Sequence, residues 1–316
     1  MGSIPQGHAG ADREPDAPEG PKVLVDPTTG RPILMAPQRQ RRPYMFGRAA
    51  GEQACPFCSG NEQMTPPEVD AIRAADTAPN QPGWRHRVVP NLYPATAHHE
   101  VITEGPVHAV QPAALDVALW RDALTLYWRR IAHIEAQPGV RCAYLFKNVG
   151  RRAGASIAHN HSQVLGLPML PPRLELELAN SRDRATCAHC DEITTAEGDG
   201  RVVVAGEHHV ALCPRAPKLP FETWLLPRDH DADFLAHQHA TDLAQVLHGL
   251  FGAIDRAFED APFNLFLHRI PGAAFHWHWE LQPRTGNVAG LELGGDMYIN
   301  SISGADAAAR IRGDSR

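Results

Sequence analysis

Apolar residues recur at helical spacing in two long stretches of this chain, residues 113–136 and 240–259. The spacing predicts one long amphipathic helix in each stretch, because side chains three and four positions apart share a helix face. Short runs rich in Val, Leu, Ile and Phe surround both stretches and are bounded by Pro and Gly. Such runs are typical of strands, and we expect a mainly antiparallel sheet. Residues 171–186 are polar and charged and are expected to form a connection.

The elements around the two predicted helices follow the same order, which indicates duplication of one unit. Each copy contains a Cys-x-x-Cys pair, strand-like runs, the helix, a further strand-like run and a His-x-His pair. The sequence therefore predicts an α+β fold made of two repeats, each with one long helix packed on a sheet. The expected divisions are a disordered tail at 1–20, repeats at 21–174 and 175–308, and a second tail at 309–316.

Composition narrows the class of protein. The chain has 316 residues, of which 43% are hydrophobic, and its net charge of −6 argues against binding nucleic acid through the phosphate backbone. It has no apolar run long enough to cross a bilayer and no signal peptide, so we expect a cytoplasmic protein with no membrane partner. In that compartment, paired cysteines indicate metal or redox chemistry rather than disulfides. Cys142 and Cys213 lie singly in apolar runs and are expected to be buried thiols.

Each Cys-x-x-Cys pair predicts half of a tetrahedral zinc site, because one tight turn supplies two thiolates. Two imidazoles would complete each site, and their equivalent positions in the repeats indicate which. Four protein ligands leave no open position, so both sites are expected to be structural. His98, His99 and His209 are rival ligands near strand ends. The predicted sets are Cys55, Cys58, His108 and His159 in the first repeat, and Cys187, Cys190, His230 and His276 in the second.

The segment around His161 indicates catalysis. In a strand, side chains two positions apart share a face, so His161 can react while His159 binds metal. A neutral imidazole is a good nucleophile toward phosphorus and a good leaving group afterwards. Gln163 lies on the same face and can donate a hydrogen bond to a phosphoryl oxygen. The preceding Gly-containing loop can hold phosphate through its backbone amides and through Lys147, Asn148 and Ser156.

These segments resemble the galactose-1-phosphate uridylyltransferase branch of the histidine triad superfamily, which includes the ADP-glucose phosphorylases. The resemblance runs from about residue 22 to residue 303, and its most specific segment is His159-Asn-His-Ser-Gln163. The other matching segments are Arg39-Gln-Arg-Arg-Pro43, Cys55-Pro-Phe-Cys58, Asn91-Leu-Tyr-Pro94, Gly105-Pro-Val-His108, Phe146-Lys-Asn148, Cys187-Ala-His-Cys190, Pro220-Phe-Glu-Thr-Trp224, Pro227-Arg-Asp-His230 and Phe275-His-Trp277.

The resemblance implies a duplicated histidine-triad-like fold, a homodimer and a ping-pong reaction. A nucleotide sugar would transfer its nucleotide to His161 and release a sugar 1-phosphate, and a second phosphate would then accept the nucleotide. The two zinc ions per chain would occupy the two Cys/His sets named above. The resemblance places these residues at the nucleotide or its phosphates: Arg39, Arg42, Asn91, Asn148, Ser156 and Gln163.

Departures from the family pattern bear on the substrate. Asp296 falls where uridylyltransferases have Glu and the phosphorylases have Gly, and a carboxylate there favours a hexose 1-phosphate as acceptor of UMP. Asn160 and Ser162 also differ from many uridylyltransferases, and Ser162 is closer to the phosphorylases. Two alternatives stay open: phosphorolysis of ADP-glucose or a dinucleoside polyphosphate, and a zinc-stabilised nucleotide-binding protein without turnover. In the second repeat, Glu280 replaces the glutamine, which predicts a copy that has lost catalysis.

Overall fold

The computed structural model describes residues 21–41, 54–182 and 184–314. The tail expected at 1–20 and Arg42 lie outside the described residues. Strands make up most of the regular structure around the site. In chain order they are β1 Lys22–Val25, β2 Pro32–Met35, β3 Asp70–Arg73, β4 Trp84–Pro90, β5 His99–Glu104, β6 Cys142–Val149, β7 His161–Leu167, β8 Val202–Ala205, β9 His209–Leu212, β10 Thr223–Pro227, β11 Phe263–His268 and β12 His278–Pro283.

One ten-stranded antiparallel sheet confirms the duplication. Its order is β3-β4-β5-β7-β6-β11-β12-β10-β9-β8, while β1 and β2 pair separately. Read from each edge inward, the first half runs β3, β4, β5, β7, β6 and the second runs β8, β9, β10, β12, β11, so each strand has a counterpart. The halves meet at β6 and β11, where Phe146 lies opposite Phe266 and Asn148 opposite Asn264. The two repeats therefore share a single sheet.

Two long helices cover one face of the sheet, here called the helix face. They are α1 Val117–Glu135 and α4 Ala240–Ala257, and the rings of Trp120 and Phe251 pack between them at a centroid distance of 4.8 Å. Both belong to one buried core with Val164 and Leu281 of the sheet. The helices are α1 Val117–Glu135, α2 Pro172–Arg182, α3 Ala188–Asp199, α4 Ala240–Ala257, α5 Gly290–Gly295 and α6 Gly304–Arg312.

The predicted long helices are confirmed, with local differences at their ends. The first begins at Val117 rather than at residue 113, because the Asp116 side chain accepts the Leu119 N–H at 2.8 Å and caps the helix. Within the described residues, no helix has an apolar span that would cross a bilayer.

The segment expected as a connection, 171–186, contains α2 instead. Although the segment is largely polar, its Leu174 is fully buried. This side chain packs with Cys142 and Ile270 on the face of the sheet opposite α1. The expected division between 174 and 175 falls inside α2. The expected division between 308 and 309 falls inside α6, whose Ile311 is buried in the core.

Candidate active site and metal clusters

His161 is the first residue of β7 and lies on the face opposite the helices, here called the site face. Its Nδ1 is 2.7 Å from the carbonyl oxygen of His159. A carbonyl oxygen only accepts hydrogen bonds, so Nδ1 carries the ring proton and Nε2 keeps its lone pair. This is the tautomer that a nucleophile needs, and the hydrogen bond also fixes the orientation of the ring.

A cavity of about 210 Å³ opens beside the His161 ring. Its walls are largely apolar, and the Phe57 ring lies 5.2 Å from the His161 ring. A flat aromatic ring such as a nucleobase suits apolar walls of this kind, and the polar lining residues suit a phosphate. The lining residues are Pro56, Phe57, Met64, Thr65, Pro66, Val89, Pro90, Asn91, Leu92, Tyr93, Val101, Ser156, Ile157, His161 and Gln163.

Four of the residues predicted from the sequence to bind substrate or react therefore meet at this cavity: His161, Gln163, Asn91 and Ser156. Gln163 follows His161 by two positions on β7, so both side chains lie on the site face. The Oε1 atom of Gln163 is 3.0 Å from His99 Nε2 and 3.4 Å from Asn91 Nδ2. His99, a rival zinc ligand in the sequence, thus contacts Gln163 of the candidate site.

Arg39 approaches the cavity from a short 3-10 helix, Pro37–Arg41. Its Nη1 donates to the carbonyl oxygen of Tyr93 at 2.7 Å, and Tyr93 lines the cavity. Asp296 lies elsewhere: it is exposed, caps the C-terminus of α5 and accepts a hydrogen bond from Tyr298 at 3.3 Å. Asp296 is not among the residues that line the cavity beside His161.

Lys147 was predicted to contact substrate phosphate, and the structure places it elsewhere. It points to the helix face, where its side chain is 1% exposed and forms an ion pair with the fully buried Glu104. Its Nζ also donates to the backbone carbonyl of His161 at 3.1 Å. The reason is strand alternation: Lys147 pairs with Ser162, which faces the helices, whereas Asn148 lies one position along, on the site face. Lys147 therefore supports β7, the strand that carries His161, from the helix face.

The Gly-containing loop between β6 and β7 is held in place by an asparagine of the second repeat. Asn264 donates through Nδ2 to Asn148 Oδ1 and to the carbonyl oxygen of Ala153, both at 2.8 Å. Gly150 and Gly154 adopt positive φ of 79° and 86°, which side-chain-bearing residues rarely adopt. The loop then brings the buried Ser156 to the cavity.

The first predicted zinc set comes together beside this cavity. The ligand atoms of Cys55, Cys58, His108 and His159 all lie within 4.8 Å of one another. Sulfur-to-Nδ1 distances are 3.7 Å for Cys55–His159, 3.6 Å for Cys58–His159 and 3.6 Å for Cys58–His108. Tetrahedral zinc with its usual bond lengths separates S and N by about 3.6 Å, so the geometry fits.

The His159 ring is prepared for a cation. Its Nε2 donates to the carbonyl oxygen of Gly105 at 2.9 Å, which leaves Nδ1 unprotonated and directed at the thiols. Burial lowers the pKa of His159 to about 4, so the ring is neutral at physiological pH. Both properties are those of a metal-ligating histidine.

The second predicted set has the same geometry. Cys187, Cys190, His230 and His276 form a cluster within the same limit, with sulfur-to-Nδ1 distances of 3.5, 3.7 and 3.6 Å. His276 Nε2 donates to the carbonyl oxygen of Pro227 at 2.8 Å, as His159 does to Gly105. The rival ligand His209 binds Asp242 at 2.7 Å instead. Neither His98, His99 nor His209 belongs to either four-residue set.

Strand register shows what replaces the active site in the second repeat. Gln163 lies opposite Val101, and its counterpart Glu280 lies opposite Trp224. The Trp224 indole lies 5.6 Å from the His278 ring and occupies the place that the smaller Val101 leaves open in the first repeat. A larger cavity of about 1000 Å³ adjoins His278.

Beside His278, the buried Glu280 takes the place that Gln163 has beside His161, although Glu280 does not line the larger cavity, whose lining includes Arg173 and Arg215. Burial raises the pKa of Glu280, but bonds and positive neighbours outweigh it and hold that pKa well below its usual range. The carboxylate pairs with Lys218 at 2.9 Å. Glu280, Glu177, His268 and His278 form a further compact cluster that the sequence did not reveal, because Glu177 lies in the unexpected helix α2.

Comparison with known proteins places this geometry in a family. An ADP-glucose phosphorylase of Arabidopsis thaliana is 30% identical over 96% of this chain and 95% of its own length. The chain belongs to the family of nucleotidyltransferases that contains ADP-glucose phosphorylase and galactose-1-phosphate uridylyltransferase. A galactose-1-phosphate uridylyltransferase of Thermotoga maritima is 23% identical over 92% of this chain and 98% of its own length. No family model matches the sequence.

Solved structures of family members share the fold. A crystal structure of the Arabidopsis thaliana ADP-glucose phosphorylase with bound ADP-glucose has a TM-score of 0.72 and 31% identity, and covers 94% of this chain and all of its own. A structure described as a uridylyltransferase has a TM-score of 0.77 and 26% identity, and covers 92% of this chain and 97% of its own. The family assignment and the duplicated α+β fold expected from the sequence are both confirmed.

Proposed function

We propose that the protein transfers a nucleoside monophosphate from a nucleotide sugar to a second phosphate, through a covalent intermediate on His161. One observation carries the proposal: the ring of His161 holds its proton on Nδ1, through the bond to the His159 carbonyl, and lines an apolar cavity beside Gln163. A nucleophilic imidazole, a hydrogen-bonding amide and a base-sized cavity are together what nucleotidyl transfer requires.

In the first half-reaction, Nε2 of His161 attacks the α-phosphorus of the nucleotide sugar. A P–N bond forms, the P–O bond to the β-phosphate breaks, and the electron pair leaves with the sugar 1-phosphate. In the second half-reaction, a phosphate oxygen of the acceptor attacks the same phosphorus, and the P–N bond breaks. Gln163 and Ser156 hold the phosphoryl oxygens in the cavity, and the guanidinium group of Arg39 offsets their charge.

For the substrates, one candidate pair is UDP-hexose with a hexose 1-phosphate, as in galactose-1-phosphate uridylyltransferase. The supporting observation is Asp296, whose exposed carboxylate at the C-terminus of α5 can accept hydrogen bonds from sugar hydroxyls. Residues around it are apolar and exposed, among them Leu293, Met297 and Ile299.

Those exposed residues support a homodimer as part of the proposal. A second exposed apolar group, which includes Val25 and Ile33, lies on the β1–β2 hairpin just before Arg39. Apolar surface of this kind is typical of a protein–protein contact. In this proposal, a second copy of this chain covers both groups.

A second candidate pair is ADP-glucose with inorganic phosphate, which would yield ADP and glucose 1-phosphate. The supporting observation is the 30% identity to ADP-glucose phosphorylase, against 23% to the uridylyltransferase, each over nearly the whole chain. In this case the acceptor needs no sugar-binding carboxylate, and Asp296 would not affect catalysis.

The two Cys/His sets would each hold one zinc ion in this proposal. With four protein ligands each, zinc would stabilise the fold and anchor the strand that carries His161, rather than take part in the reaction.

A release assay with both donors and both acceptors tests the proposed function. UDP-glucose and ADP-glucose are each incubated with galactose 1-phosphate or inorganic phosphate, and the products are separated by chromatography. Glucose 1-phosphate should be released from one donor in the presence of its acceptor, and a nucleotide labelled at the α-phosphate should remain on denatured protein without acceptor. No retained label with either donor would refute the covalent mechanism. If ADP-glucose with inorganic phosphate is the one combination that reacts, the pair of UDP-hexose and hexose 1-phosphate is refuted.

A further inference from the structure

Two backbone N–H groups fix the hydrogen-bond pattern behind Gln163. The N–H of Ala95 donates to Nδ1 of His99 at 3.0 Å, and the N–H of Tyr93 donates to Oδ1 of Asn91 at 2.8 Å. A backbone N–H is always a donor, so Nδ1 of His99 accepts and the proton of the neutral ring lies on Nε2. By the same reasoning, the second polar atom of Asn91 is its amide nitrogen, also a donor.

Both donors converge on one atom of Gln163. Their nitrogens lie 3.2 Å apart, and the protonated Nε2 of His99 cannot accept from Asn91. His99 Nε2 is 3.0 Å from Oε1 of Gln163, and Asn91 Nδ2 is 3.4 Å from the same oxygen. The amide oxygen is therefore held on the side of His99 and Asn91, and the amide nitrogen of Gln163 lies on the other side. His99 and Gln163 are 4% and 3% exposed, so water does not compete strongly for these groups.

We propose that His99 is a positioning residue that holds the Gln163 amide so that it presents N–H, rather than C=O, to the phosphoryl group bound at His161. The inference rests on the proposed function. The two orientations of a glutamine amide, related by a 180° flip, have the same shape. They present opposite partial charges, a negative oxygen or a positive N–H, to the cavity. A carbonyl oxygen facing the cavity would repel a phosphoryl oxygen, and an N–H would stabilise it.

The second repeat supports a link between the two positions. His99 lies two residues before Val101 on β5, and the matching residue of the second repeat is Glu222, which directly precedes β10 and lies two residues before Trp224. Gln163 corresponds in the same register to Glu280. In the second repeat, Glu222 therefore replaces the donor His99, and Glu280 replaces Gln163, the amide that accepts its hydrogen bond. The charged Glu280 would repel a phosphate. With no histidine at the position that matches His99, the charge of Glu280 is compensated by Lys218, His268 and His278.

Two substitutions separate the two hydrogen bonds of His99. The amide nitrogen of His99→Gln can reach the place of Nε2 and preserve the donor to Gln163. The oxygen of His99→Asn can reach the place of Nδ1 and accept from Ala95, but it leaves Gln163 without the donor. We expect His99→Asn to slow formation of the nucleotidyl adduct by about 10- to 100-fold with little change in KM, and His99→Gln to stay within about 3-fold. The neighbouring His98→Asn is the matched control and should match the wild-type protein.

A double-mutant cycle distinguishes positioning from general support of the fold. If His99 acts through Gln163, His99→Asn should have little further effect in a Gln163→Ala background. Additive losses, or equal losses in His99→Gln and His99→Asn, would overturn the proposal.

A readout without turnover keeps this test separate from the proposed function. The side-chain amide signals of Gln163, assigned by their loss in Gln163→Ala, should shift in His99→Asn and not in His98→Asn. If wild-type protein forms no adduct with either nucleotide sugar, the proposed function is refuted. The Gln163 amide signals in His99→Asn then still show whether His99 positions the amide. Unchanged signals in His99→Asn would refute the positioning role even if the enzyme is active.

Discussion

Lys147 and Glu104 form an ion pair directly behind β7, the strand that carries His161, with side chains that are 1% and 0% exposed. Ser162 donates to the same carboxylate at 2.5 Å, and the Tyr127 hydroxyl donates to it as well. Burial raises the pKa of Glu104, but the Lys147 ammonium and these bonds outweigh burial and hold the pKa below its usual range. Since Lys147 also donates to the His161 carbonyl, the pair ties the start of β7 to the core.

Loss of Lys147 should destabilise the fold strongly. Lys147→Met leaves a buried carboxylate unpaired, which costs about 3–5 kcal/mol, whereas the double change with Glu104→Gln should recover much of that loss. Unfolding in urea measures both. The control is Arg129→Met, which breaks the ion pair between Arg129 of α1 and Asp70; the Arg129 side chain is 44% exposed, so the change should cost at most about 1 kcal/mol. Equal costs for Lys147→Met and Arg129→Met would contradict the buried role.

The position of Lys147 could not be predicted from the sequence, whereas the residues of the two Cys/His sets could. The repeated His-x-His and Cys-x-x-Cys motifs predicted the members of the two Cys/His sets. Such motifs are informative because the local geometry of a strand or turn fixes the relative positions of residues that are close in sequence. The face of the sheet on which Lys147 lies depends on strand register, which the sequence alone did not settle. The bond from His99 to Gln163 joins residues 64 positions apart, and helix α2 depends on packing against Ile270. Such contacts arise only from tertiary structure.

Two zinc ions per chain are expected. Elemental analysis of purified protein should return two equivalents, and Cys55→Ser or Cys187→Ser should each return one, because the ligand atoms have tetrahedral spacing. Cys55→Ser should also lower the unfolding temperature markedly, since zinc binding contributes on the order of 10 kcal/mol in small zinc domains. Cys142→Ser is the control, because Cys142 belongs to neither set and should keep both ions. Two equivalents in Cys55→Ser would contradict its assignment as a ligand.

Arg39 is expected to bind nucleotide phosphate. Arg39→Ala should raise KM for the nucleotide sugar by about 10- to 100-fold, the effect of losing a charged hydrogen bond. Arg42→Ala, at a position outside the described residues, should act in the same direction. Removal of residues 2–20 is the control and should leave KM within about 2-fold. If this truncation raises KM as much as Arg39→Ala does, the basic segment has no specific role.

His86 should make the fold sensitive to acid. It is fully buried, and neither ring nitrogen has a hydrogen-bond partner among the described residues. Burial lowers its pKa to about 4, whereas an unfolded chain binds this proton near pH 6.5. The unfolded state therefore binds more protons in this window, and the free energy of unfolding falls as pH drops from about 6.5 toward 4, by up to about 1.4 kcal/mol per unit.

Urea unfolding at pH 7.5 and pH 5 measures this contribution. The loss of stability on acidification should be smaller in His86→Leu than in the wild-type protein. The exposed His133→Leu on α1 is the control and should lose as much as wild type. An identical loss in His86→Leu would mean that His86 does not titrate in this range.

The central claim is that only the first repeat reacts, because an amide accompanies His161 whereas a charged carboxylate accompanies His278. The most direct measurement is mass spectrometry of peptides after incubation with an α-phosphate-labelled nucleotide sugar. We expect the labelled nucleotide on the peptide that contains His161. The labelled peptide should be absent from His161→Ala and present in His278→Ala. A nucleotide on the peptide with His278, and none on the peptide with His161, would contradict the account.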